Sequence, residues 1–164
     1  MREVTRRLAK CAALPASAAR LALAEPSSAL LAARMAAWVV ALSLFVRLMP
    51  LPRALRLVSP KRPGRDARPP SRDRGDEERV KLRLARVLDS VLAADLWVFT
   101  PTCWKRATVL HRYLALSGIE TRIRFGLRRD GDAAPAGHAW LEADGVPLLE
   151  GTPPDYKVTY SYPS

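Results

Sequence analysis

The order of two periodicities between Pro101 and Glu150 is what most constrains this chain. From Cys103, the apolar residues Ala107, Leu110 and Leu114 follow at spacings of four, seven and eleven, which is the period of a helix. After Ser117-Gly118, whose glycine suits a helix C-terminus, the pattern changes to alternation, with Ile123 and Phe125 set against Arg122 and Arg124. Alternation at period two predicts a half-buried strand over Ile119–Leu127. His138–Ala143 and Val146–Glu150 then flank Asp144-Gly145, the signature of a tight hairpin. A helix covering one face of strands joined by hairpins gives an α+β fold, with that helix packed on an antiparallel sheet.

The same stretch carries the chemistry. Thr102 has the side chain of an N-cap, so Cys103 opens a helix where free N–H groups and the macrodipole favour a thiolate over a thiol. A cysteine at a helix start, a histidine on a following strand (His138) and an acid on the next strand form the arrangement of a Cys-His-acid hydrolase or acyl transferase. Taken singly, such a cysteine reads as a small core residue and such a histidine as a hydrogen-bonded one; their joint order and placement point to function. Three carboxylates compete for the third role. Asp144 sits in the turn, about 20 Å along the strand from His138. Glu142 shares the face of His138 but lies roughly 7 Å along the same strand. Glu150, on the returning strand, can come alongside. A two-residue turn would pair Ala139 with Glu150 and aim the acid away from the face of His138. A three-residue loop over 144–146, or a bulge helped by Pro147, is therefore predicted.

The rest of the chain divides into a helical front segment (1–50), a Pro/Arg-rich linker (51–76) and the Cys/His domain (77–164). The formal charge is +11, yet residues 100–164 hold 8 Lys+Arg against 7 Asp+Glu while residues 1–99 hold 19 against 9. The basic excess thus belongs to the front. Pro15 and Arg20 interrupt the apolar region that a signal peptide would need. Two cysteines without a spacing pattern, Cys11 and Cys103, fit a reducing cytoplasm and no disulfide framework. Ser27–Met49 is Ala/Leu/Val-rich and predicts a helix, but its uncharged run, Met35–Val46, is 12 residues, short of the roughly 20 that span a bilayer. That helix is expected to pack on protein or to make peripheral contact with a membrane surface.

In 51–76, prolines interleave with arginines, a composition that reads as extended and solvated; without aromatic residues to stack bases it does not suggest nucleic acid. Asp76, Glu77 and Glu78 precede the helical period of Val80, Leu84, Val87, Leu88, Val91 and Leu92. Gly151–Ser164 is read as irregular with at most a short strand. A metal site from Cys103, His111 and His138 is disfavoured, because His111 lies about 80° round the helix from Cys103. No phosphate loop and no cofactor are signalled.

On Cys103 with Arg106-Ala107 and Leu110, Leu114 with Gly118-Ile119, Phe125-Gly126, His138-Ala139-Trp140-Leu141-Glu142, Asp144-Gly145 and Glu150, the chain resembles the lasso-peptide B protein family over residues 80–152. The C-terminal domain of that family is transglutaminase-like, within the papain-like cysteine peptidase superfamily. The resemblance implies leader-peptide removal from a ribosomally made precursor, with Cys103 as nucleophile and His138 as base. It usually places an aspartate third, and the matching position here is Glu150. It also implies three partners: the precursor peptide, a separate leader-recognition protein and a macrocyclising synthetase. Acyl transfer on the same triad and a noncatalytic basic scaffold are the competing functions. Loss of processing in Cys103→Ala separates the enzymes from the scaffold.

Overall fold

The structure is a computed structural model that describes residues 26–60, 73–93, 102–129, 134–150 and 154–163. Within them the order is α1 (Pro26–Leu48), α2 (Leu51–Val58), α3 (Arg74–Leu92), α4 (Cys103–Leu116), β1 (Arg122–Arg128), β2 (Ala136–Ala143), β3 (Val146–Leu148) and β4 (Lys157–Tyr162). Helices come first and an antiparallel sheet follows, as an α+β fold requires.

Alanine and leucine, strong helix formers, carry α1 through 23 residues until Pro50 lies ahead. One side of it, Met35, Val39 and Leu42, is fully buried. By length and composition α1 is apolar enough to cross a membrane, and it is also partly packed into the protein. The expectation of an extended linker from residue 51 is corrected at its start. Leu51–Val58 is a helix that buries Ala54, Leu55 and Val58. Pro50 and Pro52 stand at its N-terminus, where a missing N–H costs no helical bond, and its arginines alternate with residues of one apolar face. Average composition hid that face. Residues 61–72 lie outside the described residues, as do Cys11 and the whole of 1–25.

α3 starts two residues ahead of the predicted acids, with Asp76 and Glu77 in its first turn, and buries Leu84, Ala85, Val87, Leu88 and Leu92. α4 ends as expected. Gly118 takes φ 79°, its N–H donates to the Ala115 carbonyl at 3.0 Å, and the Ile119 N–H donates to the Leu114 carbonyl at 2.9 Å. This pair of bonds is a Schellman cap, which needs a residue that tolerates the left-handed region.

The four described strands are ordered β3-β2-β1-β4 and all pair antiparallel. Ile123 pairs with both Leu141 and Tyr162, and Phe125 with Ala139 and Tyr160. Cross-strand partners share a face, and this face meets α4: Ile123, Ala139 and Leu141 join Leu110, Leu114, Val39, Leu55 and Leu88 in one buried cluster. The front helices and the Cys/His segment therefore share a core. Burying each such aliphatic side chain is worth about 1.5–3 kcal/mol. The tail, read as irregular with at most a short strand, contributes the edge strand β4, whose ladder with β1 slips between Phe125 and Gly126.

Candidate active site

The start of α4 differs from expectation in one detail. Thr102 has the extended backbone of an N-cap (φ −130°, ψ 141°), but its side chain makes no capping bond. Its hydroxyl oxygen is buried without a hydrogen-bond partner among the described residues. The first ladder bond is Arg106 N–H to the Thr102 carbonyl, 3.1 Å. The Cys103 N–H thus stands ahead of the helical ladder, as the first N–H groups of any helix do. Cys103 is half-buried and carries a free thiol.

The hairpin decides the third residue, and it does so differently from the sequence expectation. Asp144 and Gly145 have φ 51° and 79°, the two left-handed residues of a type I′ turn. Ala143 pairs with Val146, Glu142 with Pro147 and Leu141 with Leu148. The loop is therefore the tight two-residue form, and the predicted three-residue loop or bulge at 144–147 is not present. Pro147 is accommodated because β3 is an edge strand, where a missing donor leaves no neighbour unpaired. Extended onward, that ladder would aim Glu150 away from His138. It does not extend: β3 stops at Leu148, and Leu149 takes φ 59°. A left-handed leucine costs of the order of 1–2 kcal/mol, and it is the residue where the chain turns out of register. Beyond it the Glu150 carboxylate reaches His138, with Nε2 and Oε2 3.4 Å apart.

A pocket of about 160 Å³ is lined by Cys103, Arg106, Ala107, His138, Ala139, Trp140, Leu141, Leu148, Leu149 and Glu150. The three residues singled out in the sequence thus border one cavity. The two rejected acids are placed elsewhere. Asp144 is exposed at the turn tip. Glu142 is engaged on both oxygens: Oε2 accepts from Arg124 Nε at 2.7 Å, and Oε1 accepts from Trp140 Nε1 at 3.0 Å. Arg124 in turn donates from Nη1 to Ser161 Oγ at 2.6 Å, so Glu142 belongs to a lattice tying β2 to β1 and β4. His111 is buried and shares a 2.8 Å hydrogen bond between Nδ1 and Thr121 Oγ1. It does not line the pocket with Cys103 and His138.

The site also has contributors to which the sequence reading assigns no role. The imidazole of His138 stacks on Trp140, with centroids 5.9 Å apart and planes 14° apart, and meets Tyr156 at 5.2 Å. Gly126 pairs with His138 across the ladder, and it leaves the room this cluster needs. A Cβ there would lie 2.7 Å from Tyr156 Cβ and 2.9 Å from the Trp140 ring. A lone glycine inside an alternating strand was the available signal, since it marks a bulge or a close approach. Arg106 holds Asp89 of α3 in a two-pronged bond of 2.7 and 3.1 Å. That bond raises the pKa of the guanidinium, against burial, with Glu150 adding to the rise. A fixed positive charge therefore borders the pocket beside Glu150.

In the neutral tautomer that donates Nε2–H to Glu150, Nδ1 of His138 carries the lone pair and can act as a base. A thiol, an imidazole and a carboxylate bordering one cavity can support acyl chemistry through a thioester. No curated protein and no solved structure matches the chain. A family model does: the transglutaminase-like superfamily, which generally includes cysteine-based enzymes, matches residues 38–161, from within α1 to within β4, and the chain belongs to that superfamily.

Proposed function

We propose that this chain is a cysteine peptidase that removes the leader from a ribosomally made precursor peptide during lasso-peptide maturation. Cys103 is the nucleophile, His138 the general base and acid, and Glu150 the carboxylate that orients the imidazole. The observation that carries the reading is the contact of His138 Nε2 with Glu150 on the wall of a pocket that Cys103 also lines. At 3.4 Å it is long for a hydrogen bond, as such contacts often are before substrate binds.

In the reaction, His138 Nδ1 takes the Cys103 proton and the sulfur attacks the scissile carbonyl carbon. The Cys103 N–H is the natural first donor to the oxyanion. As the tetrahedral intermediate collapses, the imidazolium gives its proton to the leaving amine and a thioester remains. Water, deprotonated by the imidazole, then releases the leader's new carboxylate and restores the thiol. Glu150 supports the positive imidazolium throughout.

The setting of this reading is the cytoplasm, with a separate leader-recognition protein and a macrocyclising synthetase as partners. The test is incubation of the purified protein with precursor peptide, with and without the leader-binding partner, followed by intact mass. Cleavage that disappears in Cys103→Ala supports the peptidase. An amide-linked adduct in place of a cut leader would instead assign acyl transfer, and processing that survives Cys103→Ala would overturn both enzyme readings.

A further inference from the structure

The outer face of α1 is apolar where solvent should meet a polar one. At 100° per residue, Leu30, Ala33, Ala37, Leu44 and Leu48 fall in one stripe about 60° wide, and all five are exposed. Leu30 is 56% exposed, Leu44 51% and Leu48 80%. The stripe lies opposite Met35, Val39 and Leu42, which face the core. A surface helix ordinarily turns its charged side outward; this one turns aliphatic side chains both ways.

The charges beside the stripe are of one sign. Between residues 26 and 60 there are four arginines and no acidic residue. Arg34 and Arg47 are exposed, one on each flank of the stripe, about 40° beyond its edges at the helical angle. Arg53 and Arg56 are exposed on α2, with Leu57 54% exposed next to them. Leucine and alanine between arginines offer no hydrogen-bonding pattern that would select a peptide. They match a surface that is apolar inside and anionic at its edge.

We propose that the α1–α2 hairpin is a docking surface for anionic phospholipid bilayers, with α1 lying in the plane of the interface. The leucine stripe enters the acyl boundary and the flanking arginines meet lipid phosphates. A spanning arrangement is disfavoured by what holds the inner side. Met35, Val39, Leu42, Ala54, Leu55 and Val58 are fully buried. Arg112 of α4 also lies 3.9 Å over the Trp38 ring and donates to the Val58 carbonyl. Lifting α1 out to cross a membrane would undo all of these contacts, whereas docking in place undoes none.

Co-sedimentation of the full chain with vesicles tests this. One set is phosphatidylcholine alone and the other contains one quarter phosphatidylglycerol. Binding to the anionic set is expected at low salt, falling at least tenfold at high salt because exposed charges are screened. Leu44→Gln/Leu48→Gln should lose at least tenfold in binding. Both positions are exposed, so its circular dichroism and its Cys103-dependent cutting in solution should be those of the unmodified protein. Arg47→Gln/Arg53→Gln/Arg56→Gln should flatten the salt dependence. The proposal is overturned by failure to pellet with anionic vesicles, by equal pelleting with neutral ones, or by unchanged binding of the leucine variant. Retention in cell membranes after alkaline extraction would overturn it in favour of a spanning helix, and a protein partner lost in the leucine variant without any vesicle binding would overturn it in favour of protein docking.

Discussion

The α1–α2 hairpin and the sheet with α4 are built from the same kinds of residue and solve opposite problems. In the sheet and α4, polar groups have specific partners. Glu142 is held by Arg124 and Trp140, Arg106 by Asp89, and His138 by Glu150, Trp140 and Tyr156. In the hairpin, the charged residues within 26–60 are four arginines and no acid, and the outward face of α1 is aliphatic. The first region spends its side chains on fixing a few atoms in place. The second turns leucines and arginines outward, where area and net charge matter more than geometry.

Perturbing the two regions should give effects of different kinds. The largest is Cys103→Ala, expected to reduce precursor cutting by at least about a thousandfold in a mass-based assay while the thermal midpoint stays within a few degrees. In the hairpin the sharpest contrast is between neighbours. Leu42→Ala should lower unfolding free energy by about 2–5 kcal/mol in denaturant titration, because it opens a cavity in the shared core. Leu44→Ala, on the outer stripe, should change it by less than about 0.5 kcal/mol. Equal costs would mean that α1 presents a different side to the core.

Glu150→Ala should lower kcat by about a hundredfold, and Asp144→Ala should leave it near the unmodified value. Equal losses would refute Glu150 as the orienting acid. The smallest distinctive effect is at Gly126. Gly126→Ala forces Tyr156 or Trp140 to move, and overpacking of this kind costs about 1–3 kcal/mol. Because both rings pack on His138, kcat should fall as well, a loss that Leu44→Ala does not produce. A stability loss with an unaltered kcat would separate the aromatic cluster from the imidazole.

Much of the site could be read from residue order. α4 from Cys103, its end at Gly118, the alternation of β1, the Asp144-Gly145 turn and the two hairpin strands are local patterns, each set by neighbours within a few residues. The front half was less legible. Leu51–Val58 reads as the start of a solvated linker because prolines and arginines recur through 51–76, yet Pro50 and Pro52 stand where a helix tolerates them and Ala54, Leu55 and Val58 share one buried side. Its helix persists because Ala54, Leu55 and Val58 reach a core supplied by distant residues, and propensity yields to such packing.

What the sequence by itself determined is the set of chemical groups, their order along the chain, and the helix and hairpin that carry them, because these follow from periods of two and 3.6 and from glycines at turns. What only the tertiary structure decided is how Glu150 comes to meet His138. The sequence reading expects a three-residue loop or a bulge, but the turn observed is the two-residue one, whose register extended onward would turn Glu150 away. Leu149, left-handed at φ 59°, breaks the ladder and turns the acid back, while Arg124 and Trp140 occupy Glu142. A left-handed leucine is unfavourable in isolation, so no local rule selects it. It persists because Leu148 and Leu149 pack against the common core, a contact that exists only after helices and sheet have come together.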